Sequence, residues 1–106
     1  MKFGLAFASS VGIDGAEALE LCRRAEAVGF ESVWGGEHVV VPSVIESRYP
    51  YSADGSVAMT HETAIPDPLI WLAYVAAAAP TLRLGTRGLI VPQRNPLVLA
   101  EELATD

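Results

Sequence analysis

Apolar residues along the chain form three strand-like runs that alternate with helically spaced stretches. Residues 2–8 are nearly all apolar, which is typical of a strand covered on both faces. Residues 31–34 and 82–91 predict two further strands, and Gly85 and Gly88 interrupt the last one. Glycine inside a strand often marks a bulge or a place where the backbone approaches a ligand closely.

Helix boundaries are marked by capping residues. Asp14, within a predicted loop at residues 9–15, is an N-cap for the helix that follows, and Gly29 ends that helix. Asp67 and Asn95 are each followed by proline, which suits the first helical position. The sequence predicts helices over residues 18–28, 69–79 and 97–104.

The predicted order is β-α-β-loop-α-β-α, which favours an α/β fold with a parallel sheet and right-handed crossovers. Residues 39–66 have no sustained period, and so long a connection is usually a functional loop or a lid. Three strands with helices on one side leave sheet edges and one face uncovered. We therefore expect residues 1–106 to form the N-terminal β-α-β-α-β-α portion of a (β/α)₈ TIM barrel, an incomplete barrel, because a whole one needs roughly 250 residues. The alternative is a small three-layer sandwich completed by homodimer formation.

Composition narrows the function classes. The chain is 51% hydrophobic with a formal net charge of −6, so it lacks the basic surface that nucleic acid or an anionic membrane requires. No apolar run is long enough to cross a bilayer, and no signal peptide is recognisable. The single cysteine, Cys22, excludes an internal disulfide framework and is expected to be a core residue. We expect a cytoplasmic protein.

The candidate site lies at residues 32–38, where a short strand ends in an acid and an imidazole. Ligands and chemistry collect at the carboxyl ends of strands in α/β proteins. His38 is therefore the preferred site residue, with an ordinary polar cap on the strand end as the alternative. Glu37 either orients the His38 imidazole or bonds to the backbone or a neighbouring strand.

Three further interpretations follow from residue type and position. Arg94 could meet an anionic group near the last helix, but solvated surface is the preferred interpretation. Trp34 is expected in the barrel core. His38, His61 and Glu37 fit no compact metal motif, so no metal site is predicted.

Several segments together resemble the luciferase-like monooxygenase superfamily. They are KFGLAF, ALELCRRAEAVGFESVW, GGEHVVVP, RYPYSADG, PDPLIWLAYVAAA, LRLGT and PQRNPLVLAEELAT. The order and spacing of these segments are most similar to the branch that uses a deazaflavin coenzyme. The resemblance covers essentially the whole chain but only about the first third of a family member, and it implies a (β/α)₈ barrel.

The resemblance also implies residue roles. An acid–histidine pair lies near the redox ring of the coenzyme in this branch, and here it is Glu37 and His38, where relatives more often have Asp. A bulge after the third strand, often with a cis peptide, supports the ring and falls on Thr86, Arg87, Gly88 and Leu89. Relatives usually have a small residue and then a β-branched one where this chain has Arg87 and Gly88. The implied catalytic residues are His38 and Glu37; His38, Thr86, Arg87 and Gly88 are the implied cofactor-binding residues.

The implied function is that of an oxidoreductase. The whole protein would transfer hydride between the deazaflavin coenzyme F420 and a small organic substrate. One alternative is an FMN-dependent monooxygenase of the same fold. Another is a non-catalytic truncated remnant or dimerising module, which the uncovered sheet edges favour.

Overall fold

The computed structural model describes residues 1–11 and 14–105, and in these ranges three strands alternate with helices. A 3₁₀ turn, Val91–Gln93, lies before the last helix. The predicted alternation is confirmed, and residues 39–66 contain no helix or strand. The elements in chain order are β1 (Gly4–Leu5), α1 (Ala8–Val11), α2 (Gly15–Ala27), β2 (Ser32–Gly36), α3 (Pro68–Ala76), β3 (Arg83–Arg87) and α4 (Pro96–Leu103).

The sheet is parallel with the strand order β1-β2-β3. Val33 of β2 is fully buried against α2 and α3, so the described helices cover one face. We call the opposite side the open face. It consists of alternate β2 residues and their β3 register partners, namely Ser32, Trp34, Gly36, Arg83, Gly85 and Arg87. Sequential parallel strands with helices on one side are compatible with a partial barrel.

The core lies between the sheet and the α2–α3 layer. Small residues of α2 let that helix approach the sheet closely, and Trp71 and Val75 of α3 fill the remaining space. Cys22 is fully buried there, as predicted, and burial raises the pKa of its thiol. The radius of gyration is 15.0 Å, against about 13 Å for a compact chain of this length. The difference reflects the long irregular segment at residues 39–66.

The predicted helix caps are confirmed. Asp14 accepts hydrogen bonds from the backbone N–H groups of Ala16 and Glu17, at 2.8 and 3.4 Å. Gly29 has a φ of +90°, and the Phe30 N–H donates to the Ala25 carbonyl at 2.9 Å. This pairing closes the end of α2 in a Schellman motif, in which the left-handed position favours glycine.

The first strand is shorter than predicted. Phe7 has a φ of +56°, which no strand residue adopts, so β1 stops before it. Ala8, predicted as the end of the strand, and Ser9, predicted as loop, are instead fully buried in the short helix α1. Residues 12 and 13 of that predicted loop lie outside the described residues, as does residue 106 of the predicted domain.

Two later boundaries also differ from the prediction. The third strand ends at Arg87 because Gly88, with a φ of +86°, leaves the extended conformation. Helix α3 ends at Ala76, three residues before the predicted end, since Pro80 has no N–H to donate to the Ala76 carbonyl four residues earlier.

Trp34 lies across glycines on the open face. Its Nε1–H donates to Ser32 Oγ at 3.0 Å. A Cβ on Gly4 would come within 2.8 Å of the indole Nε1, and one on Gly85 within 2.5 Å of its benzo carbons. The indole thus fits only because both neighbouring strands lack a side chain beneath it. Although predicted as barrel core, Trp34 is 40% exposed, because the described helices cover only the opposite face.

Gly85→Ala should therefore lower the free energy of unfolding. The added methyl group must displace the indole of Trp34, and such overpacking costs about 1–3 kcal/mol. Gly36→Ala is the matched control on the same face, because its Cβ would lie 3.7 Å from Phe7, an ordinary contact. Urea denaturation of both variants measures the difference. Equal destabilisation would contradict the proposed packing of Trp34 on Gly85.

Candidate functional site

The candidate site is built at the carboxyl end of β2. Gly35 and Gly36 finish the strand, and the Gly36 N–H donates to the buried Ser9 Oγ at 3.2 Å. A Cβ on Gly35 would lie 3.3 Å from Pro68 Cβ, so this glycine allows α3 to begin close to the strand end. The two residues that follow, Glu37 and His38, then differ in exposure: Glu37 is 8% exposed, whereas His38 is exposed.

The Glu37 carboxylate is held by two donors from the segment after β3. Its Oε2 accepts the Ile90 backbone N–H at 2.5 Å, and its Oε1 accepts Nη2 of Arg94. Of the two interpretations of Glu37, bonding to backbone and a neighbouring segment is therefore the one observed. Because both carboxylate oxygens are engaged in this way, Glu37 connects the end of β2 to the segment that leads into α4.

Arg94 joins that carboxylate to a second one. The same Nη2 donates to Asp67 Oδ2 at 2.6 Å, and Nη1 lies 3.9 Å from Glu102 Oε2. The Arg94 side chain is only 15% exposed, so the preferred interpretation as solvated surface is wrong. Hydrogen bonds from Arg94 to Asp67 and to Glu37 raise the pKa of the guanidinium. Its Nε is buried without a hydrogen-bond partner among the described residues.

The two carboxylate oxygens of Asp67 have different partners, one in helix α3 and the other in the ion pair with Arg94. Oδ1 caps α3 by accepting from Leu69 and Ile70 N–H, at 2.9 and 3.1 Å, while Oδ2 faces Arg94. Partial burial by itself raises the pKa of this carboxyl. The Ile70 N–H and the Arg94 guanidinium act against burial, and the net pKa of Asp67 is lowered.

His38 lies at the mouth of the irregular segment. A cavity of about 230 Å³ is lined by Glu37, His38 and Val39 at the start of that segment and by Ile65, Pro66 and Asp67 at its end. The two ends of the segment therefore meet beside the imidazole. His61 and Glu62 line a separate cavity of about 480 Å³ within the segment, and neither residue lines the cavity beside His38.

The predicted cofactor-binding residues fall on two sides of the sheet. Arg87 lies on the open face beside Gly36, and its guanidinium is 4.3 Å from the centroid of the Phe7 ring. Gly88 follows with a positive φ and nothing within 4 Å of where its Cβ would be. Thr86 instead lines a cavity among α3 and α4 on the helix side. Residues 1–11 and 14–105 contain no cis peptide bond, so Arg87–Gly88 is trans.

Sequence reasoning missed three residues that shape this edge. Ser9 was assigned to a loop, Phe7 to the first strand, and the second carboxylate oxygen of Asp67 had no predicted partner. The proline after Asp67 and the Asn-Pro pair after Arg94 gave the helix starts. Neither of these helix-start motifs predicts that Arg94 donates to Asp67, because the two residues are 27 positions apart in the chain.

Residues 1–11 and 14–105 were searched for metal-ligand groups and for membrane-spanning helices. Within them, no three histidine, cysteine, aspartate or glutamate side chains are grouped so that they could hold a metal ion. No helix in these ranges has the length and apolar character needed to cross a bilayer.

Comparison with protein families identifies the chain. The model of the luciferase-like monooxygenase family matches residues 1–105. The chain belongs to the luciferase-like monooxygenase family.

Relatives of this luciferase-like chain are considerably longer than it is. An uncharacterized protein of Mycobacterium tuberculosis is 30% identical over 106 residues, which is 99% of this chain and 36% of the relative. A luciferase-like monooxygenase of Escherichia coli is 32% identical over 88 residues, which is 83% of this chain and 21% of the relative. The chain thus spans about a third or less of these relatives. Comparison with solved structures found no significant match.

Replacing Arg94 should strongly destabilise the luciferase-like chain. Arg94→Met leaves the buried Glu37 carboxylate without its cation, and breaking a buried pair from one side costs about 3–5 kcal/mol. Arg24→Met is the control, because Arg24 pairs with Glu20 at 2.5 Å on the exposed face of α2, where such pairs contribute about 0.3–0.5 kcal/mol. Urea denaturation at neutral pH compares the two. Similar losses in both variants would contradict a structural role for the buried pair.

Stability should also depend on the charge of Asp67. Its pKa is lower in the folded state than in the unfolded chain, so its contribution is complete above the unfolded pKa of about 3.9 and is lost as pH falls further. Asp67→Asn keeps an N-cap side chain but removes the charge. The gap in unfolding free energy between the two proteins should shrink between pH 6 and pH 3. A gap that stays constant would exclude a contribution from the Asp67 charge.

Proposed function

We propose that the whole protein is an oxidoreductase that transfers hydride between the deazaflavin coenzyme F420 and a small organic substrate. Membership of the luciferase-like family supports a redox enzyme, and the resemblance of the sequence segments to the deazaflavin branch supports the choice of coenzyme. The observation that carries the assignment of the site is the exposed His38 imidazole, placed directly after a buried and fully bonded Glu37 at the end of β2.

The open face, with Phe7 at its edge, has groups that fit a flat aromatic ring. Phe7 and Trp34 are half-exposed aromatic residues, Arg87 supplies a cation, and the backbone at Gly88 is open to close approach. Phe7, Arg87 and Gly88 are the residues that would hold the ring. When bound, the coenzyme supplies the hydride chemistry, and the protein orients it and tunes its charge.

His38 is the group proposed to act on the substrate. Its ring has no hydrogen bond or ion pair to the described part of the chain, and an imidazole can donate or accept a proton near neutral pH. Glu37 contributes indirectly, because its bonds to Ile90 and Arg94 fix the strand end from which His38 extends. In this proposal Glu37 is a positioning residue, and His38 is the catalytic one.

A second candidate is an FMN-dependent monooxygenase of the same fold. The name of the Escherichia coli relative, a luciferase-like monooxygenase, favours this activity. A third candidate is a non-catalytic module that associates through its sheet. The uncovered open face favours that alternative.

Coenzyme titration separates these candidates. The protein at its natural full length should quench the fluorescence of F420 on binding and should bind it more tightly than FMN. The reverse preference would favour the monooxygenase, and binding of neither coenzyme would leave the non-catalytic module.

His38→Ala should then lower kcat about 10²- to 10⁴-fold with little change in coenzyme affinity, as expected for the loss of an acid–base group. The measurement is steady-state turnover with a substrate that the unmodified protein accepts. His61→Ala is the matched control, since His61 is an exposed histidine of the irregular segment. Unchanged kcat in His38→Ala would remove His38 from the mechanism.

A further inference from the structure

Phe7, Gly36 and Arg87 form one layer across the ends of the three strands. Gly36 and Arg87 are register partners, and a Cβ on Gly36 would lie 3.7 Å from the Phe7 ring. The Arg87 guanidinium lies over the same ring. An aromatic ring from the end of β1 is thus stacked between the end of β2 and a cation on β3.

The backbone of Phe7 is strained to reach this position. A φ of +56° is an outlier for a bulky residue, and such a conformation persists only where the surrounding structure imposes it. Here the Phe7 carbonyl accepts the Ser10 N–H at 3.0 Å, and the next two residues, Ala8 and Ser9, are fully buried. Strain of this kind concentrates at functional sites. In this chain it places the ring where Arg87 can stack on it.

The charge of Arg87 is not neutralised by the described part of the chain. No carboxylate there lies within ion-pairing distance of Arg87, whereas Arg83, on the same strand and face, is 3.7 Å from Glu31. The Phe7 ring holds the guanidinium through its electron-rich face. A guanidinium held by its face retains N–H groups at its edges that can donate to an anion.

We propose that Arg87, braced by Phe7, binds the negative charge that the coenzyme ring gains on reduction, and so raises the reduction potential of the bound coenzyme. This inference rests on the proposed function. Hydride brings two electrons and one proton from the organic substrate, so an acceptor ring gains one negative charge. Arg87 stabilises that charged form more than the oxidised form, and Arg87 therefore favours hydride transfer towards the bound coenzyme.

The test is the midpoint potential of the coenzyme bound to the full-length protein, measured by spectroelectrochemical titration with F420 or FMN, whichever binds. Arg87→Met should weaken binding of the reduced form relative to the oxidised form about tenfold, which is a fall of about 30 mV for a two-electron couple. Arg87→Lys should restore most of the potential, since it keeps the charge.

Arg83→Met is the matched control. It removes the same charge from the same face of β3, four residues and about 13 Å away, and should leave the potential unchanged. An unchanged potential in Arg87→Met, or equal shifts in both variants, would overturn the inference while coenzyme binding still supported the proposed function. Failure of the unmodified protein to bind either coenzyme would overturn the proposed function and this inference with it.

Discussion

The bridge from Glu37 through Arg94 to Asp67 is the interaction on which the carboxyl edge of the sheet depends. One guanidinium joins the end of β2, the start of α3 and the segment before α4, and only 15% of its side chain is exposed. Desolvating these charges is costly, so the bridge is favourable only with good geometry. The geometry at Asp67 is good because one carboxylate oxygen accepts from the N-terminus of α3 and the other accepts from the Arg94 guanidinium. The helix layer is thereby fixed relative to the strand end before any ligand contributes.

The two faces of the sheet differ in how their side chains pack. On the helix side, Val33 is fully buried and Glu37 is bonded twice. On the open face, half-exposed Trp34 lies over glycine backbone and Arg87 stacks on a ring. Because side chains alternate along a strand, neighbouring residues of β2 and β3 contribute to opposite faces. This alternation also explains why Thr86 and Arg87, consecutive in sequence, lie on opposite sides of the sheet.

The sequence predicted the parts of the structure that local chemistry determines. Asp67 followed by proline started a helix as predicted, and the alternation of elements and the family were identified from their segments. The sequence did not predict contacts between residues far apart in the chain. Arg94 was interpreted as solvated surface because nothing near it in sequence identifies carboxylates 27 and 57 residues earlier. Phe7 was placed in a strand because an apolar run does not reveal a single left-handed residue that ends it.

The spacing of the three charged residues also bears on the order in which the chain can assemble. The two acids precede their shared cation, so a growing chain that has not yet reached Arg94 would bring like charges together at this edge. If the edge packed before Arg94 was present, the Glu37 and Asp67 carboxylates would repel each other. If it packs afterwards, both carboxylates pair with the guanidinium. The described helices can therefore pack at this edge without that repulsion only after Arg94 has been synthesised.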